Sequence, residues 1–298
     1  METFLSIVSR LPMRVLYWFA DMAYPVLYHI IRYRKDVVRK NLAVSFPGKT
    51  PSELKALEKR FYKYFCDAVV EMVKLYSLDE EEVRKRFVFK NAGQLSEDLK
   101  AGKSYILLMS HHCNWEYLTS VPLWLTKDIF GSHVYKRLVD SRFDNIMVKM
   151  RDRFGSHSIE DKKLFRTLAV ERKKGKPIAT GFLADQSPMP DGLNYWCTFL
   201  NHEHTPFLDS PERVARTFGF GMYYFETKKL RRGYYECNIV KMCDNVADTP
   251  EHQVTAQYAR MLEKTVQGQP ECYLWTHNRW KFTDRYEGKD ERLRCHNS

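Results

Sequence analysis

The sequence predicts an α/β protein, a mixed central sheet flanked by helices and preceded by a helical segment that associates with a membrane. Three observations carry this. Short apolar runs such as "SYILLMS" (104–110) and "PIATGFLA" (177–184) alternate with stretches of helical periodicity. Two strand-like runs, 222–229 and 234–242, flank Arg231-Arg232-Gly233 and read as a hairpin, so not every strand is parallel. The stretch "VLYWFADMAYPVLYHII" (15–31) is apolar and aromatic. Asp21, Pro25 and His29 interrupt it, and it falls short of the roughly 20 apolar residues a spanning helix needs.

That N-terminal stretch suits a headgroup-level anchor. Tyr17, Trp18, Tyr24 and Tyr28 are interfacial residues, and Arg10, Arg14 and "RYRKDVVRK" (32–40) flank them with positive charge that attracts anionic lipid. The competing expectation is an amphipathic helix packed on its own domain. No small-residue cleavage site follows the apolar core, so no removed signal peptide is expected. In "FPGKTPSE" (46–53), Thr50, Pro51 and Glu53 form a capping box with proline in the first turn. Leu54, Leu57, Phe61, Phe65, Met72 and Leu75 then recur at helical spacing, which predicts one long helix over 51–76.

Beyond the charged "DEEEVRKR" (79–86), a helix is expected near 94–101, ending at Gly102. The strand 104–110 follows, then a helix carrying Leu118, Val121 and Leu125. "HVYKR" (133–137) reads as a strand, and 141–154 and 161–173 as helices. Strand 177–184 ends in Asp185-Gln186 and a Pro/Gly-rich loop. Residues 205–219 and 251–267 read as helices. No linker or repeat divides the chain. The expected organisation is a membrane-associating segment, 1–40, and one catalytic domain, 41–298.

The chain has 298 residues, and 44% of them are hydrophobic, enough for a sizeable core. Lys plus Arg is 48 against 37 Asp plus Glu, a net charge of +11 that favours anionic partners. Nucleic acid is not expected, because no zinc-finger or RNP-like pattern occurs. The cysteines at 66, 113, 197, 237, 243, 272 and 295 are odd in number and contain no CxxC, so they read as reduced thiols of a cytosolic compartment.

Chemistry concentrates at "SHHCNWE" (110–116), directly after the buried run. In open α/β sheets, ligands bind beyond the carboxyl ends of strands. Asn114 can cap the following helix, which places Glu116 in its first turn and His111 in the loop before it. Across that bend the glutamate can fold back to the histidine. A carboxylate on one ring nitrogen fixes the tautomer and raises the basicity of the other, giving a general base for a hydroxyl. The alternatives are a core histidine bonded to a backbone carbonyl and a Cys113 thiol nucleophile. Asp185 and Gln186 end a second buried strand. They can bond a sugar hydroxyl or fix an arginine, or simply begin a turn. His202 and His204 resemble a metal pair, but no third ligand stands at useful spacing, so neither a metal nor a cofactor is expected.

The His-x4-Glu in "HHCNWE" resembles the His-x4-Asp/Glu motif of glycerolipid-type acyltransferases, and its Asn-Trp-Glu ending resembles the late (secondary) acyltransferases of lipid A biosynthesis, the lauroyl/myristoyl acyltransferase family. "YRKDVVRKNLAVSFPGKTPSE" (33–53), "ADQ" (184–186) and "ECYLWTHNRWK" (271–281) resemble further blocks of that family in the same order. The resemblance implies a glycerolipid-acyltransferase-like sheet. It implies transfer of a fatty acyl chain from an acyl carrier protein thioester to a hydroxyl of a lipid A precursor, at the cytoplasmic face of the inner membrane. It also assigns His111 as the base and Glu116 as its orienting partner, with no acyl-enzyme.

Two positions depart from the family pattern. His112 stands where a bulky apolar residue is usual. "VYKRLVDSRFD" (134–144) stands where Tyr-Arg-Pro and an Asn are usual, so Lys136, Arg137 or Arg142 can supply the cation for phosphate or oxyanion, and Arg137 is preferred. Arg151, four before Gly155, fits the family's Arg-x3-Gly. The solvated helix face is the alternative for each. The competing functions are acyl transfer to another glycolipid or a lysophospholipid, and a non-catalytic lipid- or carrier-binding protein.

Overall fold

The computed structural model describes residues 2–286. Two helices open the chain, α1 (Glu2–Ser9) and α2 (Met13–Pro25), and a π-helical turn (Val26–Ile31) follows. Proline has no N–H for the α-helical ladder, and the hydrogen-bond register widens just after Pro25. Arg32 and Arg34, both with left-handed backbone (φ 53° and 48°), end the apolar segment before α3 (Lys35–Ser45). The long helix α4 (Pro51–Leu75) begins with the expected capping box. The Glu53 N–H donates to Thr50 Oγ1 at 3.3 Å and the Thr50 N–H to Glu53 Oε2 at 2.7 Å.

After α5 (Glu80–Arg86) come β1 (Phe87–Lys90), α6 (Ala92–Lys100) and β2 (Tyr105–Met109). A 3₁₀ run (Trp115–Trp124) leads to β3 (Phe130–Tyr135), α7 (Ser141–Asp152), β4 (His157–Glu160), α8 (Leu164–Lys173) and β5 (Ile178–Leu183). Then follow β6 (Tyr195–Phe199), β7 (His202–Phe207), α9 (Ser210–Phe218), β8 (Gly221–Arg231), β9 (Tyr234–Cys243) and α10 (Gln253–Gly268).

Seven strands form one sheet in the order β1-β9-β8-β2-β5-β3-β4, and β6 and β7 make a separate hairpin. From β8 through β4 neighbouring strands are parallel, whereas β9 runs antiparallel to β8 and carries β1 parallel to itself. The sheet is therefore mixed, as expected. β2 lies between β8 and β5 with every residue buried, which is why its sequence is an unbroken apolar run. Tyr105, Leu107 and Met109 pack on one face with Phe87, Tyr117 and Val121. Ile106 and Leu108 pack on the other with Phe182, Val214 and Leu262.

Several elements depart from the sequence expectation. The helix expected after Asn114 is a 3₁₀ run containing Pro122, whose missing N–H suits a short, tight helix. Asn114 makes no cap and donates instead from Nδ2 to Glu71 Oε2 at 3.0 Å. Residues 205–207 complete β7, and the helix begins only at Ser210, with Pro211 in its first turn. β4 (HSIE) carries a single apolar residue and does not announce itself, whereas β6 (YWCTF) is aromatic and apolar but follows the Pro/Gly-rich loop without a clear boundary.

The N-terminal segment packs on the rest of the chain. Tyr17 donates to Glu71 Oε1 at 2.8 Å, and Arg232 in the β8–β9 turn pairs with both Asp21 and Asp67. Its outer face stays apolar, with Phe4, Ile7, Trp18, Phe19, Ile30 and Ile31 exposed. No helix among the described residues is long and apolar enough to cross a membrane. The described cysteines are all free thiols, and Cys295 lies outside the described residues.

Candidate active site

Three stretches converge beyond the carboxyl ends of β2 and β5. Met109 pairs with Leu183 across the two strands, so residues 111 and 185 leave the sheet level with each other. The His111 N–H donates to Asp185 Oδ2 at 3.0 Å, and His111 Nδ1 lies 2.8 Å from Asp185 Oδ1. The third stretch is C-terminal. Leu274 N–H donates to the His111 carbonyl at 3.1 Å, Cys113 N–H to the Cys272 carbonyl at 2.9 Å, and His112 bridges to Tyr273. These bonds hold the loop in a shape that requires Cys113 to adopt φ 56°.

Asp185 is fully buried. Burial alone would raise its carboxyl, but the His111 charge and the two hydrogen bonds hold it below the usual carboxylate range. An ionised Asp185 takes the Nδ1–H, which leaves the lone pair on Nε2. Gln186 Nε2 lies 3.2 Å from that nitrogen and donates an amide N–H to it. The Trp115 indole and the His111 imidazole meet edge-to-face, with 5.1 Å between centroids.

Glu116 does not hold the partner position expected for it. It receives Arg151 instead, from Nε at 2.8 Å and Nη2 at 2.6 Å, a bidentate pair. Burial opposes the Glu116 charge, but the Arg151 guanidinium pulls its carboxyl below the usual range. The cause of the exchange is topological. Asp185 arrives on the strand next to β2, whereas the 3₁₀ run turns Glu116 toward α7. His111 and Glu116 nevertheless line one cavity of about 360 Å³.

That cavity runs down the sheet from His111. Leu107, Met109, Ala179, Gly181 and Leu183 form its floor, and Leu118, Val121, Pro122 and Leu125 its roof. Gly181 keeps the floor low, since a Cβ there would stand 3.0 Å from Met109 Cε. Arg151 and Gln186 lie on its lining with His111 and Glu116, while Arg137 does not. Arg137 is exposed, 3.9 Å from Asp144. Arg137 thus stands outside this cavity, although Lys136 and Leu138 on either side of it line it. Lys136 reaches the cavity lining, and Arg142 only gives its N–H to the Asp140 cap.

The neighbouring candidates resolve into packing. His112 is fully buried, with Nε2 bonded to the Gln269 carbonyl at 3.0 Å and Nδ1 3.1 Å from Thr227 Oγ1. Burial pushes it down to about 4. The Cys113 thiol is buried, and burial together with Cys272 pushes it well above its ordinary value, so it stays a protonated thiol. His202 stacks on Trp280 at 3.7 Å and His204 on Tyr286 at 4.0 Å. The C-terminal block is anchored through Asn41, whose Nδ2 reaches the carbonyls of Trp275 and His277. Behind Asp185, Arg279 is fully buried with its guanidinium 4.6 Å over Phe207.

Sequence reasoning missed the His111–Asp185 bond, the Glu116–Arg151 pair and the Glu71 hub. Glu71 gathers hydrogen bonds from Tyr17, Asn114 and Tyr235. Adjacent strands ending in His and Asp were the available signal for the first. The other two depend on side-chain directions that spacing does not encode.

An imidazole backed by a carboxylate, at the head of a hydrocarbon-lined cavity on a mixed sheet, is the equipment of an acyl-transferring enzyme. The family model for bacterial lipid A biosynthesis acyltransferases matches residues 2–282, and the chain belongs to that family. A lipid A biosynthesis palmitoleoyltransferase of Escherichia coli (strain K12) is 22% identical over 279 residues, covering 90% of this chain and 89% of its own length. A lipid A biosynthesis acyltransferase of Shigella flexneri is similar to the same extent, 22% over 279 residues.

Proposed function

We propose that this acyltransferase moves a fatty acyl chain from an acyl carrier protein thioester to a hydroxyl of a lipid A precursor, with His111 as general base and Asp185 as its positioning partner. The observation that carries this is the His111 ring on the lining of the apolar cavity, with its Nδ1 2.8 Å from Asp185 Oδ1. The acceptor hydroxyl takes the place of the Gln186 amide on Nε2 and gives up its proton as its oxygen attacks the thioester carbonyl. The tetrahedral oxyanion needs donors, and the Gln186 amide and the Arg151 guanidinium, which share the cavity lining with His111, are assigned that role. Collapse expels the carrier thiolate, which recovers the proton from the imidazolium. Asp185 stabilises that imidazolium without taking the proton. Glu116 keeps Arg151 aimed at the cavity rather than orienting His111.

The acyl chain lies in the cavity under β2, β5 and β3. Residues 1–40 seat the catalytic unit, 41–298, on the cytoplasmic face of the inner membrane. The exposed Trp18, Phe19, Ile30 and Ile31 and the flanking arginines support this seat. The +11 net charge favours both an acidic carrier and a phosphorylated acceptor.

The direct experiment incubates the purified protein with an acyl-carrier-protein thioester and a lipid A precursor, then weighs the product. One acyl increment is expected, and His111→Ala should reduce its rate by about 10²-fold or more. Full activity in a folded His111→Ala protein would remove the histidine base.

A further inference from the structure

A second apolar cavity, of about 350 Å³, lies behind the first, and Trp115 and Glu116 line both. Its main wall is one stripe of α4, made by Phe65, Ala68, Val69 and Met72. These residues stand at i, i+3, i+4 and i+7, the spacing of a helix face that normally packs against something. Here it is left open, and Val69 is 41% exposed. Leu274 closes one side, and Tyr33 and Arg34 stand at the lip. Arg34 is held there by its bond to the Thr276 carbonyl at 3.0 Å.

The lip identifies the occupant. Immediately upstream of Tyr33, Ile30 and Ile31 are 76% and 61% exposed, so the apolar lining continues onto the outer face of the N-terminal segment. Arg32 and Arg34 add positive charge at the same place. A hydrocarbon-lined groove that opens beside exposed isoleucines and two arginines fits a chain of an anionic lipid, with its phosphate by the arginines. A soluble peptide or sugar has no use for such walls.

Taking the acyl transfer proposed above as given, two substrates with long chains must meet at one hydroxyl–carbonyl contact, and the cavity beneath His111 is sized for one chain. We propose that the second cavity holds a hydrocarbon chain of the acceptor lipid, and that the Trp115 indole is the partition separating it from the donor chain. The indole meets the His111 ring edge-to-face, so a lipid laid along the indole on the side of the second cavity brings a headgroup hydroxyl round to Nε2. The donor enters from one side of Trp115 and the acceptor from the other. Neither chain then crosses the other's path.

Two measurements test this on the full chain. In the first, a lipid A precursor with a photoreactive diazirine in one acyl chain is placed in phosphatidylethanolamine vesicles and irradiated with the protein. Adducts should map to residues 65–72, and adducts confined to residues 118–125 would overturn the assignment. In the second, Ala68→Phe fills the groove and should raise the acceptor KM about tenfold while the thioester KM stays within about twofold, as expected of a few misplaced carbons in an apolar pocket. An unchanged acceptor KM in a folded Ala68→Phe protein would overturn it too. If that variant does not fold, Val69→Trp at the open rim makes the same test. Adducts at 65–72 in a wild-type protein that transfers no acyl group would keep the lipid site and remove the acyl-transfer function instead.

Discussion

Asp185, not Glu116, is bonded to His111: Oδ1 lies 2.8 Å from Nδ1, and Oδ2 takes the backbone N–H of the same residue at 3.0 Å. One carboxylate thus fixes both the ring and the loop that carries it. An Asn side chain can keep one of those contacts but not the charge that stabilises an imidazolium. Asp185→Asn should therefore lower kcat by about 10²-fold or more with little change in KM. Glu116→Gln should lower kcat by less than Asp185→Asn does. Steady-state kinetics of the two proteins decide, and the reverse ranking would return the partner role to Glu116.

The Glu116–Arg151 pair predicts a stability effect of its own. The Glu116 side chain is 5% exposed and the Arg151 side chain 19%. Removing one member leaves the other buried without its counter-charge, a cost of about 3–5 kcal/mol. Glu116→Gln and Arg151→Met should each lower the urea midpoint, and the double variant should be less unstable than the sum of the two. Simple additivity would mean that the pair is not coupled.

Acid should weaken the fold in two stages. His112 and His133 are both held at about 4 in the folded chain, mainly by burial, against an ordinary value of 6.5. Between those values the unfolded state binds more protons, so stability rises with pH there and is lost on acidification from 6.5 toward 4. Asp185 and Glu116 have depressed carboxyls, so their contribution is present above the ordinary carboxylate value and is lost as pH falls through the folded one. Urea midpoints measured from neutral to acid pH should show the first fall before carboxylates titrate. His133→Gln should flatten it, and an unchanged slope would count against the burial of His133.

Gly181 sets the depth of the cavity proposed for the acyl chain. A Cβ there would press on Met109 Cε at 3.0 Å, and the branches of valine would fill the floor further. Gly181→Val should shift transfer toward shorter acyl chains, read by competing thioesters of different length and weighing the products. An unaltered chain profile would move the chain out of this cavity.

Much of this was legible before the fold. The run "YILLM" announced a strand buried on both faces, and Thr50-Pro51-x-Glu53 announced the start of α4 almost to the residue. His111 stood out because a titratable cluster follows the carboxyl end of such a strand, where open α/β sheets bind their ligands. Glu116 misled because a sequence motif reports spacing along the chain, whereas pairing depends on which strand lies alongside. The β2–β5 neighbourhood that brings Asp185 to His111 is a long-range fact. Arg137 lies off the cavity for a local reason: its side chain is exposed near Asp144, while its neighbours Lys136 and Leu138 line the cavity. The last residues of β7, 205–207, read as the start of a helix because Pro206 and the polar His202, Glu203 and His204 hide the strand they complete.

Glu71 joins parts of the molecule that would otherwise answer to different events. A single buried carboxylate takes Tyr17 from α2, Asn114 from the loop after His111 and Tyr235 from β9. That shared anchor links the outer helix to the loop after His111. If α2 settles against a bilayer, as proposed above, a pull on it reaches Asn114, three residues from His111, so amide exchange at 110–116 should slow on adding anionic vesicles. On that reading the protein is tuned by where it rests, and a copy adrift from its surface would keep its parts but lose their alignment.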